Sequence, residues 1–295
     1  MRVFAPTMKS NEIHTFRIVT AVLFGLFAIG TAYPQSQHRE ISRGKEKRLI
    51  VSMDIAFGTI ILEKGDKEKI AVIGYEEDKE DEHKFHVAYD VDGETGRLKI
   101  KLKKSKSLWN DDDGDSRYRR ITIKLTDALP VWLDLELGAG KGDIDLSGLQ
   151  LKDLKISSGA SSVELRCDQQ NRVEADRIEI ESGVSKFTAT NLCNTNFRDL
   201  KFSGGVGAYK LDFGGELTRD ANADIEVGLG SIVVYVPKEM STKVLYDDNW
   251  FSSFDLDRAF KRRKSGVFES VQDDGGKLLT LKIESGLGSV KVKRK

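Results

Sequence analysis

The feature that most constrains this chain is a motif that returns down its length. LELGAGKGDIDL (135–146) runs apolar, any, apolar, two small or polar, Gly, three mostly small, apolar, any, apolar. LKISSGASSVEL (154–165), IEIESGVSKFTA (178–189) and LKFSGGVGAYKL (200–211) follow the same columns. ADIEVGLGSIVV (223–234) follows with a one-residue slip, and LKIESGLGSVKV (281–292) closes the chain. The aligned glycines are Gly140, Gly159, Gly183, Gly205, Gly228 and Gly286, the first five separated by 19, 24, 22 and 23 residues. Such a period marks stacked supersecondary units rather than a single globular core.

Each copy reads as a strand, a glycine turn and a second strand. In Leu154-Lys155-Ile156 and Val163-Glu164-Leu165 the apolar members face one side and the charged ones the other. One copy cannot bury its apolar face alone, and stacking at ~4.8 Å supplies both hydrogen bonds and core. The expected fold is all-β: one elongated right-handed β-solenoid over residues 131–295, preceded by a less regular β-rich part over 48–130. That part holds a worn copy around Gly58 and a hairpin over 85–104 turning at 92–96. Pro130 is a plausible corner before the first clean repeat, and a turn or two of helix is expected around 257–262.

Residues 1–32 read as a cleaved secretory signal. Arg2, Lys9 and Arg17 precede an uncharged run from Ile18 to Ile29, followed by Gly30-Thr31-Ala32. That run falls short of the ~20 residues of a membrane-spanning helix; retention as an anchor is the alternative. Residues 33–47 are expected to be a flexible leader. Removing residues 1–32 turns 47 basic and 47 acidic residues into 44 and 46, which excludes the basic excess of a general nucleic-acid binder. No membrane span is expected after cleavage, and export to a periplasm or cell surface is expected.

The motif series, with VVYVPKE (233–239) and the terminal LKIESGLGSVKVKRK, resembles the bacterial toast-rack or adhesin-type repeat domains over most of residues 48–295. The resemblance implies a repetitive β architecture in a surface or envelope protein, or a domain attached to cell-wall-stress regulators. It carries no catalytic residue to this chain.

The chemistry candidates are few. Gly140-Lys141 superficially suggests a phosphate loop, which needs G-x-x-x-x-G-K, then Ser or Thr, on a strand entering a helix. Gly142 follows Lys141 here, and Asp143–Leu146 reads as a strand. His83 and His86 lie three apart among carboxylates, a spacing that on a strand divides them between faces. NDDDGD (110–115) departs from a calcium loop at Trp109 and Arg120. Acid pairs such as Asp143 and Asp145 lie on outward positions. No catalytic, cofactor or metal residue is expected, and the function expected is a non-enzymatic envelope module binding an envelope component or a protein. The rival readings are a β-helix enzyme acting on polysaccharide and an envelope-stress sensor domain.

Two further expectations concern particular side chains. Cys167 and Cys193 point inward one copy apart, so they are either a disulfide in an oxidising compartment or two buried thiols. The insertion over 243–276 places Trp250, Phe251, Phe254 and Phe260 beside Lys261, Arg262, Arg263 and Lys264. It is read as a partner contact or as a cap on the end of the stack.

Overall fold

Seven strands of 16 or 17 residues dominate the architecture, and each is continuous through its glycines. The computed structural model describes residues 35–77, 85–103, 119–246, 252–270 and 276–295. The expected signal segment, His83, Trp109, the loop 110–115, Trp250 and Phe251 lie outside them. The long strands are β2 (Arg48–Lys64), β7 (Pro130–Asp145), β8 (Gln150–Arg166), β9 (Ala175–Thr190), β10 (Phe197–Asp212), β11 (Ala221–Val236) and β16 (Leu278–Arg294). They stack in parallel, in the order β2-β7-β8-β9-β10-β11-β16. Pro130 opens β7, where its missing N–H costs no ladder bond.

Each long strand has two limbs with alternating burial and a fixed step between them. The last buried residue of the first limb and the first of the second lie five apart: Ile55/Ile60, Leu137/Gly142, Ser158/Val163, Ser182/Phe187, Gly204/Tyr209, Val227/Ile232 and Ser285/Val290. An odd step along a flat strand would send the second limb to the opposite face. Both limbs stay buried in one core, so the strand turns a corner there.

The core lines the inner face of both limbs. Phe187, Phe197, Phe202 and Phe213 are its largest fully buried side chains. The Phe202 and Tyr209 rings meet edge-on at 5.2 Å. A Cβ at Gly204 would lie 2.6 Å from the Tyr209 ring, so that glycine makes the ring's space.

Both ends of the parallel stack finish in antiparallel strands. On β2, the first limb carries β5 (Thr95–Leu102) and the second carries β6 (Arg119–Leu125), both parallel. β4 (Phe85–Asp92) covers β5, and β3 (Lys69–Glu77) covers β6. β1 (Gln35–Ser42) pairs antiparallel with β3, so the expected flexible leader contains a strand, anchored by its backbone bonds. Nor does the expected boundary near residue 130 divide the stack, since Leu49–Leu62 of β2 stand in register with Val131–Ile144 of β7. The expected hairpin is present, turning at Gly93-Glu94.

At the other end, β16 returns from beyond the insertion to lie directly on β11, Ala221 opposite Leu279. The insertion supplies the next layer. β12 (Ser241–Tyr246) lies on the first limb of β16 and β13 (Ser252–Leu256) on the second. β15 (Val267–Ser270) and β14 (Lys261–Lys264) follow antiparallel. The sheet is open, not closed into a barrel. Where a helical turn was expected, the Phe260 amide donates to the Asp257 carbonyl in an isolated turn.

Candidate binding surface

The corner of the stack is built from backbone. Leu137 pairs with Ser158 and Ala139 with Ala160, which sets Gly138 against Gly159. The column continues through Gly183, Gly205, Gly228 and Gly286. A Cβ at Gly159 would lie 2.3 Å from the Gly138 carbonyl oxygen, and one at Gly286 2.5 Å from that of Gly228. Side chains are excluded because each coil's carbonyl sits against the next coil's α-carbon.

Gly140 does not belong to this column, contrary to the sequence alignment. It stands two residues on, opposite Gly58 and Ser161, with φ 131°. The segment holds glycines at 138, 140 and 142, and the alignment matched the middle one. The first true step is therefore 21 residues, from Gly138 to Gly159. The fifth copy shows no slip, since Leu200 stands opposite Ala223 and Ala208 opposite Ser231. The expected strand–turn–strand is one bent strand.

An outward column rises between the glycine column and that of Gly58, Gly140 and Ser161: Phe57, Ala139, Ala160, Val184, Val206, Leu229 and Leu287. In the last four coils it is an exposed aliphatic ridge, with Val184 64 %, Val206 44 %, Leu229 45 % and Leu287 53 % exposed. A second outward column lies three residues earlier: Asp54, Glu136, Ser157, Glu181, Ser203, Glu226 and Glu284. Over the earlier coils a shallow groove lies beside these carboxylates, floored by Gly138, Gly159 and Gly183 and walled by Glu136 and Glu181. Sequence reading passed over the ridge because alternation assigns a side chain inward or outward only while the strand is straight.

The model of the N-terminal domain of toast_rack, DUF2154, matches residues 31–190, more than half of the chain. The chain belongs to the toast_rack family. No curated protein matches it significantly. Among solved structures, a putative cell adhesion protein from Clostridium sporogenes is 19 % identical, covering 89 % of this chain and 100 % of its own, at TM-score 0.47. A putative adhesin from Bacteroides fragilis is 16 % identical, covering 89 % and 99 %, at TM-score 0.38. Scores and identities this low carry no inference of function.

In this toast_rack chain Lys141 is exposed, within a strand between Thr59 and Ser162 of the neighbouring coils. The strand continues to Asp145, so no helix start faces an anion there. Asp143 and Asp145 face outward, and Arg166 of the next coil pairs with Asp143 at 2.7 Å and Asp145 at 3.9 Å. His86 is exposed on β4 opposite Lys101. Among the described residues no three His, Cys, Asp or Glu side chains gather as metal ligands. Nor is any helix among them long and apolar enough to cross a membrane.

Of the two arrangements expected for Cys167 and Cys193, the structure holds buried free thiols. The Cys167 amide donates to the Thr190 carbonyl, which places residue 167 near 191. Cys193 lies further on, in a 3₁₀ turn over Leu192–Thr195, and donates its thiol to the Phe213 carbonyl at 3.1 Å. Burial, with Asp145 and Asp168 nearby, pushes the Cys167 thiol up to about 12; burial raises Cys193 as well.

Of the insertion's aromatics, Phe254 and Phe260 pack at the stack end. Phe254 stacks on Tyr246 at 3.9 Å and leans on Phe268 at 5.6 Å. Phe260 is buried, its ring 5.4 Å from the Arg294 guanidinium. Lys261, Arg262, Arg263 and Lys264 are exposed on β14, at the sheet's edge, and Arg263 pairs with Glu269 at 3.0 Å. A row of cations on an edge strand repels further strand addition.

Sequence reading also missed the asparagines of the connecting loops. Asn171 is buried; it accepts from the Leu151 amide at 3.1 Å and donates to the Leu151 and Thr195 carbonyls at 2.7 and 2.9 Å. Asn194 donates to the Cys167 carbonyl, and Asn191 and Asn196 hold left-handed φ of 57° and 56°. The polar spacing in these loops, which differ in length, was the only available signal.

Proposed function

We propose that the protein is an exported, non-enzymatic envelope module, adhesin-like, that presents one corner of a right-handed β-solenoid to an envelope component or protein partner. The observation that supports this reading is the ridge of Val184, Val206, Leu229 and Leu287. These aliphatics are held outward on a stack where outward positions are otherwise mostly charged or small. A contiguous exposed apolar run on a rigid scaffold is the mark of an interaction surface. Right-handed winding follows from the strong preference of parallel strand crossovers for that hand. Export rests on the basic start, short apolar run and small residues of 1–32.

The test is to express the full chain with a carboxy-terminal tag, fractionate the cells and sequence the mature amino terminus. The reading expects a chain beginning at Tyr33 in the envelope fraction, retained by isolated envelope material. A full-length chain confined to the cytoplasm overturns export. Depolymerisation of envelope polysaccharide by the purified protein overturns the non-enzymatic reading.

A further inference from the structure

We infer that the corner of the last four long strands takes a cationic amphipathic polypeptide segment, as a helix lying along the stack. This rests on the binding-module reading and names the chemistry of its partner.

The geometry of the ridge sets the shape of the occupant. Val184, Val206, Leu229 and Leu287 occupy successive rungs, so the ridge spans about 14 Å at a rung spacing of about 4.8 Å. A helix advances about 5.4 Å per turn, close to that spacing. Apolar residues at i, i+4 and i+7 then fall near successive rungs, and a helix of about three turns covers the ridge. Helix side chains would settle between the aliphatics, over a corner whose glycines leave the backbone low.

Charge sets its chemistry. Along the ridge one flank carries Glu181, Ser203, Glu226 and Glu284, with Glu136 further along the same column. Glu284 is paired with Lys282 at 2.8 Å. Glu226 also lies in the field of Lys282, and Glu181 accepts from the Ser157 hydroxyl at 3.2 Å. Among the described residues no base lies within ion-pair distance of Glu136 or Glu181. The other flank is nearly neutral: Lys186, then Ala208, Ser231 and Ser289. A segment with Lys or Arg beside its apolar stripe answers this one-sided acid column. An anionic membrane surface is repelled by it.

The probe is a fluorescent peptide of about 14 residues, leucine at i, i+3, i+4 and i+7 and lysine elsewhere, long enough for the ridge. Its counterpart carries glutamate in place of lysine. Fluorescence anisotropy with the purified protein is expected to show binding of the lysine peptide, weakening with salt, and none of the glutamate peptide. V206S/L229S and E181Q/E226Q should each weaken binding at least tenfold. All four side chains face outward, and matching melting curves show that the variants fold.

Absence of binding, or binding indifferent to both variant pairs, overturns the inference. So does binding of phosphatidylglycerol vesicles in preference to the peptide, or sedimentation showing a dimer that V206S/L229S dissociates. If the peptide fails while the full chain is still exported and held by envelope material, the inference falls and the envelope reading stands.

Discussion

Every coil of the stack turns twice, and the two turns meet the same demand by opposite means. At the outer corner the chain removes side chains from one column, where glycine α-carbons lie against the carbonyls of the coil before. At the connecting loops it adds them: Asn171 reaches the Leu151 amide and carbonyl on one side and the Thr195 carbonyl on the other. The outer corner has a constant five-residue step, so equivalent backbone atoms always meet. The loops span four residues after β7, eight after β8, six after β9 and eight after β10, so their backbones do not match rung for rung. Amide side chains bridge the mismatch. Backbone bonds still cross the loops at points, as from the Asn171 amide to the Asn194 carbonyl at 2.7 Å, and polar side chains such as Asn171 close the rest.

The largest effect should come from filling the outer corner. A Cβ at Gly140 would lie 2.0 Å from the Gly58 carbonyl oxygen, and φ is 131°. Gly140→Val is expected to cost more than about 4 kcal/mol or to prevent folding, since it combines a clash with a disallowed backbone for a β-branched residue. Urea denaturation measures it. A cost under about 1 kcal/mol, within the range of ordinary substitutions, breaks the claim that this corner is made by excluding side chains.

Next is the loop side of the comparison. Asn171→Ala should cost about 2–3 kcal/mol, because it strands the Leu151 and Thr195 backbone groups in a buried site. The same assay reads it, and the m-value should stay constant if the coils still stack. Asn171→Asp sharpens the point: a carboxylate accepts from the Leu151 amide but cannot donate to the two carbonyls, so it should be no better than alanine.

The end of the stack gives a smaller effect. Phe254 is partly buried, in contact with Tyr246 and Phe268. Phe254→Ala should cost about 1–2 kcal/mol, from one aromatic pair and part of a ring's burial. A melting temperature equal to that of the wild type sinks the packing role and leaves the ring free for a partner.

What could be read in the sequence follows the same division. The glycines and alternating limbs were visible because they recur, and β7 to β11 appear where the motif predicts. Register was harder: glycines at 138, 140 and 142 offer more than one alignment, and only the pairing of Leu137 with Ser158 and Ala139 with Ala160 selects Gly138. The ridge was hidden because a corner suspends strict alternation. The choice between a disulfide and two thiols was open for a related reason, since the left-handed Asn191 and the 3₁₀ turn move Cys193 off the rung beside Cys167. β1 was hidden because an edge strand buried on few of its positions has a polar sequence, QSQHREIS. Nothing local announces that β16 lies between β11 and the insertion; that placement is a long-range pairing choice.

The smallest predicted effect is the one that isolates the outer corner's chemistry. Lys141 is the charged side chain between Gly140 and Gly142, exposed, opposite Thr59 and Ser162. If the corner works by backbone alone, its side chain has no structural task. Lys141→Ala should then stay within about ±0.5 kcal/mol of wild type, as at ordinary surface positions. A phosphate-gripping lysine predicts a different signature: nucleotide would raise the wild-type melting temperature and leave that of Lys141→Ala unmoved. Thermal scans of both proteins with and without ATP and magnesium separate the two. A shift of several degrees restricted to wild type would give Lys141 a ligand, and no shift in either protein leaves the glycines as the means by which the strand turns.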